Sequence, residues 1–162
     1  MSTGPLDIKV RRYRRRDRDA VLRITRTSFV GMCLDSAIEK HFGPVSNTTW
    51  QDRKWDGIEW DLRHRPGDVL IAEVDDEVVG YMCTRLYYDY SIGHVANMAV
   101  EREFQGRGVG KALMRAALDH FRNCGMRYAR IETLEENYKG RNFYPAFGFK
   151  EVGRQIHYFR DL

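Results

Sequence analysis

The chain has 162 residues, 43% of them hydrophobic and 12% aromatic, with a formal net charge of +4. That length suits one domain spanning residues 1–162, since a chain of about 150 residues buries roughly 70% of its unfolded surface. No apolar run approaches the ~20 residues of a membrane-spanning helix, and the opening MSTGPLDIKVRRYRRR lacks the apolar segment of a signal peptide, so the chain reads as cytoplasmic with no membrane partner.

Cys33, Cys83 and Cys124 are odd in number and form no CxxC pair, which points neither to a disulfide framework nor to a zinc site. His41, His64, His120 and His157 show no ligand spacing, and no metal is expected. VRRYRRRDRDA at 10–20 concentrates six arginines. Asp17 and Asp19 interrupt that run, which favours a solvated strand end and helix start over an arm for nucleic acid.

In chain order, Ile8 to Tyr13 predicts a strand, and Ala20, Val21, Ile24 and Phe29 predict a helix from about Asp17. Residues 31–50 predict no clear element. Trp55, Ile58 and Leu62 fall at i, i+3, i+7 and predict a helix stopped by Pro66-Gly67. DVLIAEV and VVGYMCTRLYY flank Asp75-Asp76 as a hairpin. HVANMAV at 94–100 is a further strand. Val109, Leu113, Ala116, Ala117 and Phe121 share one stripe of a helix ending near Asn123 to Gly125. A strand over Tyr128 to Thr133, a short helix over Gly140 to Phe147 and a last strand around Ile156 to Phe159 complete the chain. Strands and helices in this order predict a mixed α/β sheet.

FQGRGVGKALM at 104–114 is the most informative stretch. A glycine-rich turn ahead of a helix leaves backbone N–H groups unpaired where the helix dipole is positive, and such a place binds phosphate. Gly106, Gly108 and Gly110 permit close approach of an anion, and Arg107 and Lys111 add charge. A P-loop fails because Gln105 occupies its first glycine position and Ala112 its hydroxyl position. A dinucleotide fingerprint fails because Lys111 and Leu113 stand where glycine is needed. What remains is Gln105-x-x-Gly108-x-Gly110 between a strand and an amphipathic helix.

HVANMAVEREFQGRGVGKALM resembles the coenzyme A pyrophosphate-binding segment of the GNAT superfamily of N-acetyltransferases, whose pattern is Q/R-x-x-G-x-G/A after a strand. Asn137, Tyr144 and Gly148-Phe149 resemble that family's second block. The likeness covers residues 69–152 well and the first 66 in outline. It implies a single-domain GNAT-like fold, a mostly antiparallel mixed sheet of about six or seven strands with about four helices, and a splayed parallel strand pair holding acetyl-coenzyme A as co-substrate. By the same resemblance, backbone groups of Met98, Ala99 and Val100 would meet the pantetheine arm, while Gln105, Gly106, Arg107, Gly108, Val109, Gly110 and Lys111 would hold the pyrophosphate and Asn137 would anchor the pantetheine.

The chemistry so implied is transfer of acetyl to a primary amine by direct attack. The Met98 amide would face the thioester oxygen as charge develops in the tetrahedral transition state. Tyr144 would support the departing thiolate; a phenol of pKa ~10 facing a thiol of ~8.5 makes full proton transfer uphill by about 2 kcal/mol. Glu132 resembles the base of the branch that acetylates N-terminal amines of ribosomal proteins, with His94, Glu101 and Glu103 as rivals. An α-amine of pKa ~7.8 costs about 1 kcal/mol to neutralise at pH 7, against about 4.6 for a lysine. Arg141 and Pro145 depart from the family pattern, and proline beside Tyr144 raises the alternative of a catalytically silent acyl-coenzyme A-binding module. The acceptor, a small molecule or a protein N-terminus, would be chosen by residues 28–66 and the loop from Tyr87 to Ile92; a homodimer is left open.

Overall fold

A computed structural model describes residues 6–162. The signal-peptide reading of the opening stretch rests in part on residues 1–5, outside the described residues. Five strands form one sheet in sequential order: β1 (Lys9–Arg12), β2 (Val69–Val74), β3 (Glu77–Tyr87), β4 (Ile92–Val100) and β5 (Tyr128–Ile131). The first four pair antiparallel and β4 pairs parallel with β5. The α-helices are α1 (Arg18–Ser28), α2 (Leu34–Phe42), α3 (Trp50–His64), α4 (Val109–Asn123) and α5 (Tyr138–Phe143).

Each element has a local cause. Asp75 and Asp76 both adopt positive φ, 51° and 63°, and supply the tight turn that lets β3 return beside β2. Thr49 caps α3 by accepting from the Asp52 N–H, while Asp52 accepts from Thr49 in return. Gly125, at φ 77°, follows the last turn of α4, where the Met126 N–H reaches the Phe121 carbonyl and closes the helix.

The sheet is apolar on both faces. One face packs Met82, Val95 and Val100 against Val109, Leu113, Ala117 and Phe121 of α4. The other packs Ile71, Tyr81, Cys83 and Ala99 against Ile24 of α1 and Trp55 and Ile58 of α3. Tyr81 is fully buried, and its hydroxyl meets Thr25 Oγ1 at 2.7 Å, which explains a buried threonine in α1.

The α/β class and the parallel strand pair agree with the sequence, but among the described residues the counts change to five strands and five α-helices. Residues 31–50 contain α2, which has no buried residue and so gives no apolar stripe to read. The strand expected over Ile156 to Phe159 does not form; residues 151–162 carry no regular structure, and Ile156 and Tyr158 are 75% and 90% exposed. Their alternation is local, and a strand needs a face to cover. β5 ends at Ile131, so Glu132 and Thr133 lie beyond it.

Candidate active site

The site begins with a change of register. Cys83 pairs with Asn97 and Thr84 with Val95, so Ala96 is an extra residue that bulges β4. β4 and β5 stay paired from Ile92↔Tyr128 to Val95↔Ile131 and then part. The Glu101 N–H donates to the Val79 carbonyl, and in an antiparallel ladder the bonded positions alternate. Met98 and Val100 therefore turn their backbone N–H and C=O away from β3, into the fork where β5 has left.

At the mouth of the fork, Gly106 and Gly108 adopt φ 76° and 98°, conformations in which other residues are strained. Gly108 is the N-cap of α4 and contributes no side-chain bond to it; the first backbone bond there runs from the Ala112 N–H to the Gly108 carbonyl. The amides of Val109, Gly110 and Lys111 thus lack an intrahelical acceptor. A Cβ at Gly106 would meet nothing within 4 Å, so the turn is open on that side. Gln105 ties the turn to the strand, its Nε2 donating to the Val100 carbonyl at 3.0 Å while Oε1 accepts from Lys139 Nζ at 2.9 Å. Arg107 lies over the Phe104 ring. Free strand amides leading to helix amides with no side-chain cap suit a ligand with an extended arm joined to a diphosphate, and the pantetheine arm and diphosphate of coenzyme A have that form.

From the other side comes α5. Asn137 caps it, Oδ1 accepting from the Gly140 N–H at 3.1 Å and Nδ2 donating to Thr133 Oγ1 at 2.8 Å. A Cβ at Gly140 would stand 2.8 Å from Asn137 Nδ2, so a side chain there would push the Asn137 amide out of its capping position. Asn137 is thus already committed to its own helix. The half-buried Tyr144 packs edge-on against Phe143 and Phe149, and burial pushes its phenol up to about 12. Pro145 does not kink a helix: α5 ends at Phe143, and the proline opens a 3-10 turn where its missing N–H costs nothing. Arg141 donates to the Glu135 carbonyl.

On the α3 face, Glu132 is 64% exposed and its Oε2 lies 3.1 Å from His94 Nε2. His94 is buried, and burial lowers its pKa against the opposing pull of Glu132. Its Nδ1 is buried without a hydrogen-bond partner. A neutral imidazole donating through Nε2–H to Glu132 leaves Nδ1 as a proton acceptor, and Glu132 would stabilise the imidazolium formed. The structure therefore joins two rivals for the base into one pair. Glu101 is paired instead with Arg23, and Glu103 is exposed.

Two side chains at the fork escaped the sequence reading. Asn97 accepts from Lys54 Nζ at 2.6 Å, and that ammonium sits 4.4 Å from the centre of the Phe29 ring. The available signal was an asparagine inside the apolar run HVANMAV.

The sequence pattern of the acetyltransferase (GNAT) family matches residues 33–149. The chain is 32% identical over 111 residues to an N-alpha-acetyltransferase of Sulfurisphaera tokodaii, covering 62% of this chain and 66% of that protein. It is also 32% identical over 107 residues to an aminoglycoside N(6')-acetyltransferase type 1 of Stenotrophomonas maltophilia, covering 61% and 69%. In four of its relatives the chain spans only 61–66% of their length. The fold matches the PaiA N-acetyltransferase of Thermoplasma acidophilum, crystallised in complex with coenzyme A, with a TM-score of 0.73, 19% identity and coverage of 93% and 94%.

Proposed function

The chain belongs to the acetyltransferase (GNAT) family, and from that premise we propose that it is an acetyl-coenzyme A-dependent N-acetyltransferase acting on a primary amine by direct attack, with residues 1–162 serving as one catalytic domain. The observation that carries this reading is the parting of β4 from β5 after Val95, beside a glycine-led helix start with no side-chain cap. The relatives' names favour two acceptor classes, a protein N-terminus and a small-molecule amine. All three cysteines are free, in keeping with a reducing compartment such as the cytoplasm.

Acetyl-coenzyme A supplies the acetyl group as an activated thioester. Met98 and Val100 hold the pantetheine through their β4 backbone groups, Ala99 between them being turned toward Tyr81 of β3, and the Met98 amide donates to the carbonyl oxygen as negative charge grows there. The turn from Gln105 to Lys111 holds the pyrophosphate through amides, glycine space and the α4 dipole. Asn137 completes the far wall by fixing the first turn of α5, which leads directly into Tyr144.

His94 and Glu132 take the proton of the incoming amine, the imidazole accepting it and the carboxylate stabilising the charge. Tyr144 donates a hydrogen bond toward the departing sulfur and remains protonated, since its phenol stands at about 12. An α-amine, costing about 1 kcal/mol to neutralise, demands less of this pair than a lysine.

Calorimetry with acetyl-coenzyme A, followed by thiol release with N-terminal peptides, amino acids, aminoglycosides and polyamines, tests the proposal. Micromolar binding and thiol release above background with at least one amine are expected. Absence of binding at high micromolar concentration would defeat the proposal. Binding without release for any amine would leave a silent acyl-coenzyme A-binding module.

A further inference from the structure

The face of the fork away from α4 is the side from which an acceptor can enter, because α4 and the glycine turn occupy the other. Its charges are mostly spent. Asp61 is fully buried and held by Arg85 through two hydrogen bonds of 3.1 and 3.0 Å. Asp35 and Glu39 face Arg53, and Glu59 faces Arg18 and Arg63. These four acids are already neutralised by arginines.

Lys54 is different. It is half-buried and donates to Asn97, an uncharged amide, and rests over Phe29; among the described residues no carboxylate lies within ion-pairing distance. Asp35 acts on it only from farther off and is itself paired with Arg53. An ammonium has three donors, and here one meets Asn97 while the aromatic face beneath offers only a weak acceptor. Burial disfavours its charge, and an incoming anion would relieve that cost. Asn97 stands immediately before Met98, next to the bulge, so the uncompensated cation borders the end of the fork.

Resting on the acetyltransferase reading above, we propose that Lys54 determines acceptor specificity by pairing with a carboxylate, so that the acceptor is an amine bearing a carboxylate near its nitrogen. Two sources present that chemistry, a free amino acid through its α-carboxylate and a peptide through an acidic first side chain.

Product analogues test this without the co-substrate. N-acetylglycine carries an α-carboxylate, N-acetylaspartic acid α-amide carries only the side-chain carboxylate, and N-acetylasparaginamide carries none. Titrated by calorimetry into the wild-type protein, one or both carboxylates should bind about tenfold or more tighter than the uncharged amide, the size of one charge-assisted hydrogen bond. Preference for N-acetylglycine assigns a free amino acid, and preference for the aspartyl amide an acidic N-terminus. Lys54→Met should erase the preference, and Lys54→Arg should keep much of it. Equal binding of all three analogues, or a preference unchanged in Lys54→Met, overturns the proposal. Acetyl-coenzyme A binding, measured separately on the same proteins, should be unaffected by Lys54→Met; its absence in the wild type would count against the acetyltransferase reading and leave the analogue comparison standing.

Discussion

Replacing Tyr144 by phenylalanine removes one hydroxyl and keeps the edge-on packing against Phe143 and Phe149. With the phenol at about 12 and a free thiol near ~8.5, handing over the proton completely would be uphill by about 5 kcal/mol. Tyr144 therefore acts as a hydrogen-bond donor to a developing thiolate, an interaction of about 1.5–3 kcal/mol. The substitution should lower kcat by about 10- to 150-fold and leave the Kd of acetyl-coenzyme A nearly unchanged, because the bond matures only as sulfur departs. Thiol release measured from pH 6 to about 9 gives kcat, and calorimetry gives Kd. Burial raises the phenol's pKa, so its contribution to stability is complete below pH 10 and is lost as pH climbs toward about 12. Melting in the assay range should thus not reflect its titration. A kcat within about twofold of wild type, or a loss expressed wholly in Kd, would refute the role given to Tyr144.

Gly108→Ala forces a side chain into φ 98°, which should cost about 1–2 kcal/mol of stability and weaken acetyl-coenzyme A binding more than its melting shift implies; unchanged binding would exclude the turn as the diphosphate cradle. The acidic limb of kcat/KM should titrate below the ordinary histidine value of 6.5, and Glu132→Gln should move it lower still, because the carboxylate raises the His94 pKa. Because the folded pKa is depressed, the contribution of neutral His94 to stability is present above 6.5 and is lost as pH falls below it, a slope that His94→Phe should flatten in acid melts. Asn137→Ala should cost about 1 kcal/mol through loss of the α5 cap, seen as a lower melting temperature. A substitution at Gly93 should destabilise strongly, since even a Cβ there would stand 2.3 Å from the Phe121 ring.

Periodicity in the sequence determined α1, α3, α4 and the β2–β3 hairpin, because each buries a stripe or alternating face whose spacing is written in consecutive residues. The glycine turn was legible for the same reason: positive φ and an open helix start are local demands that only certain residues meet. The absence of the Ile156–Phe159 strand, the end of β5 at Ile131 and the formation of α2 were not legible, since each depends on whether a distant surface is available to cover. The parting of β4 from β5 is likewise a matter of register, set by one extra residue at Ala96 and by where Tyr128 lands. Lys54 reaches Asn97 across 43 positions, and His94 meets Glu132 just past the end of β5. Charge compensation is a property of space: only the folded chain could reveal which acids arginines had already claimed.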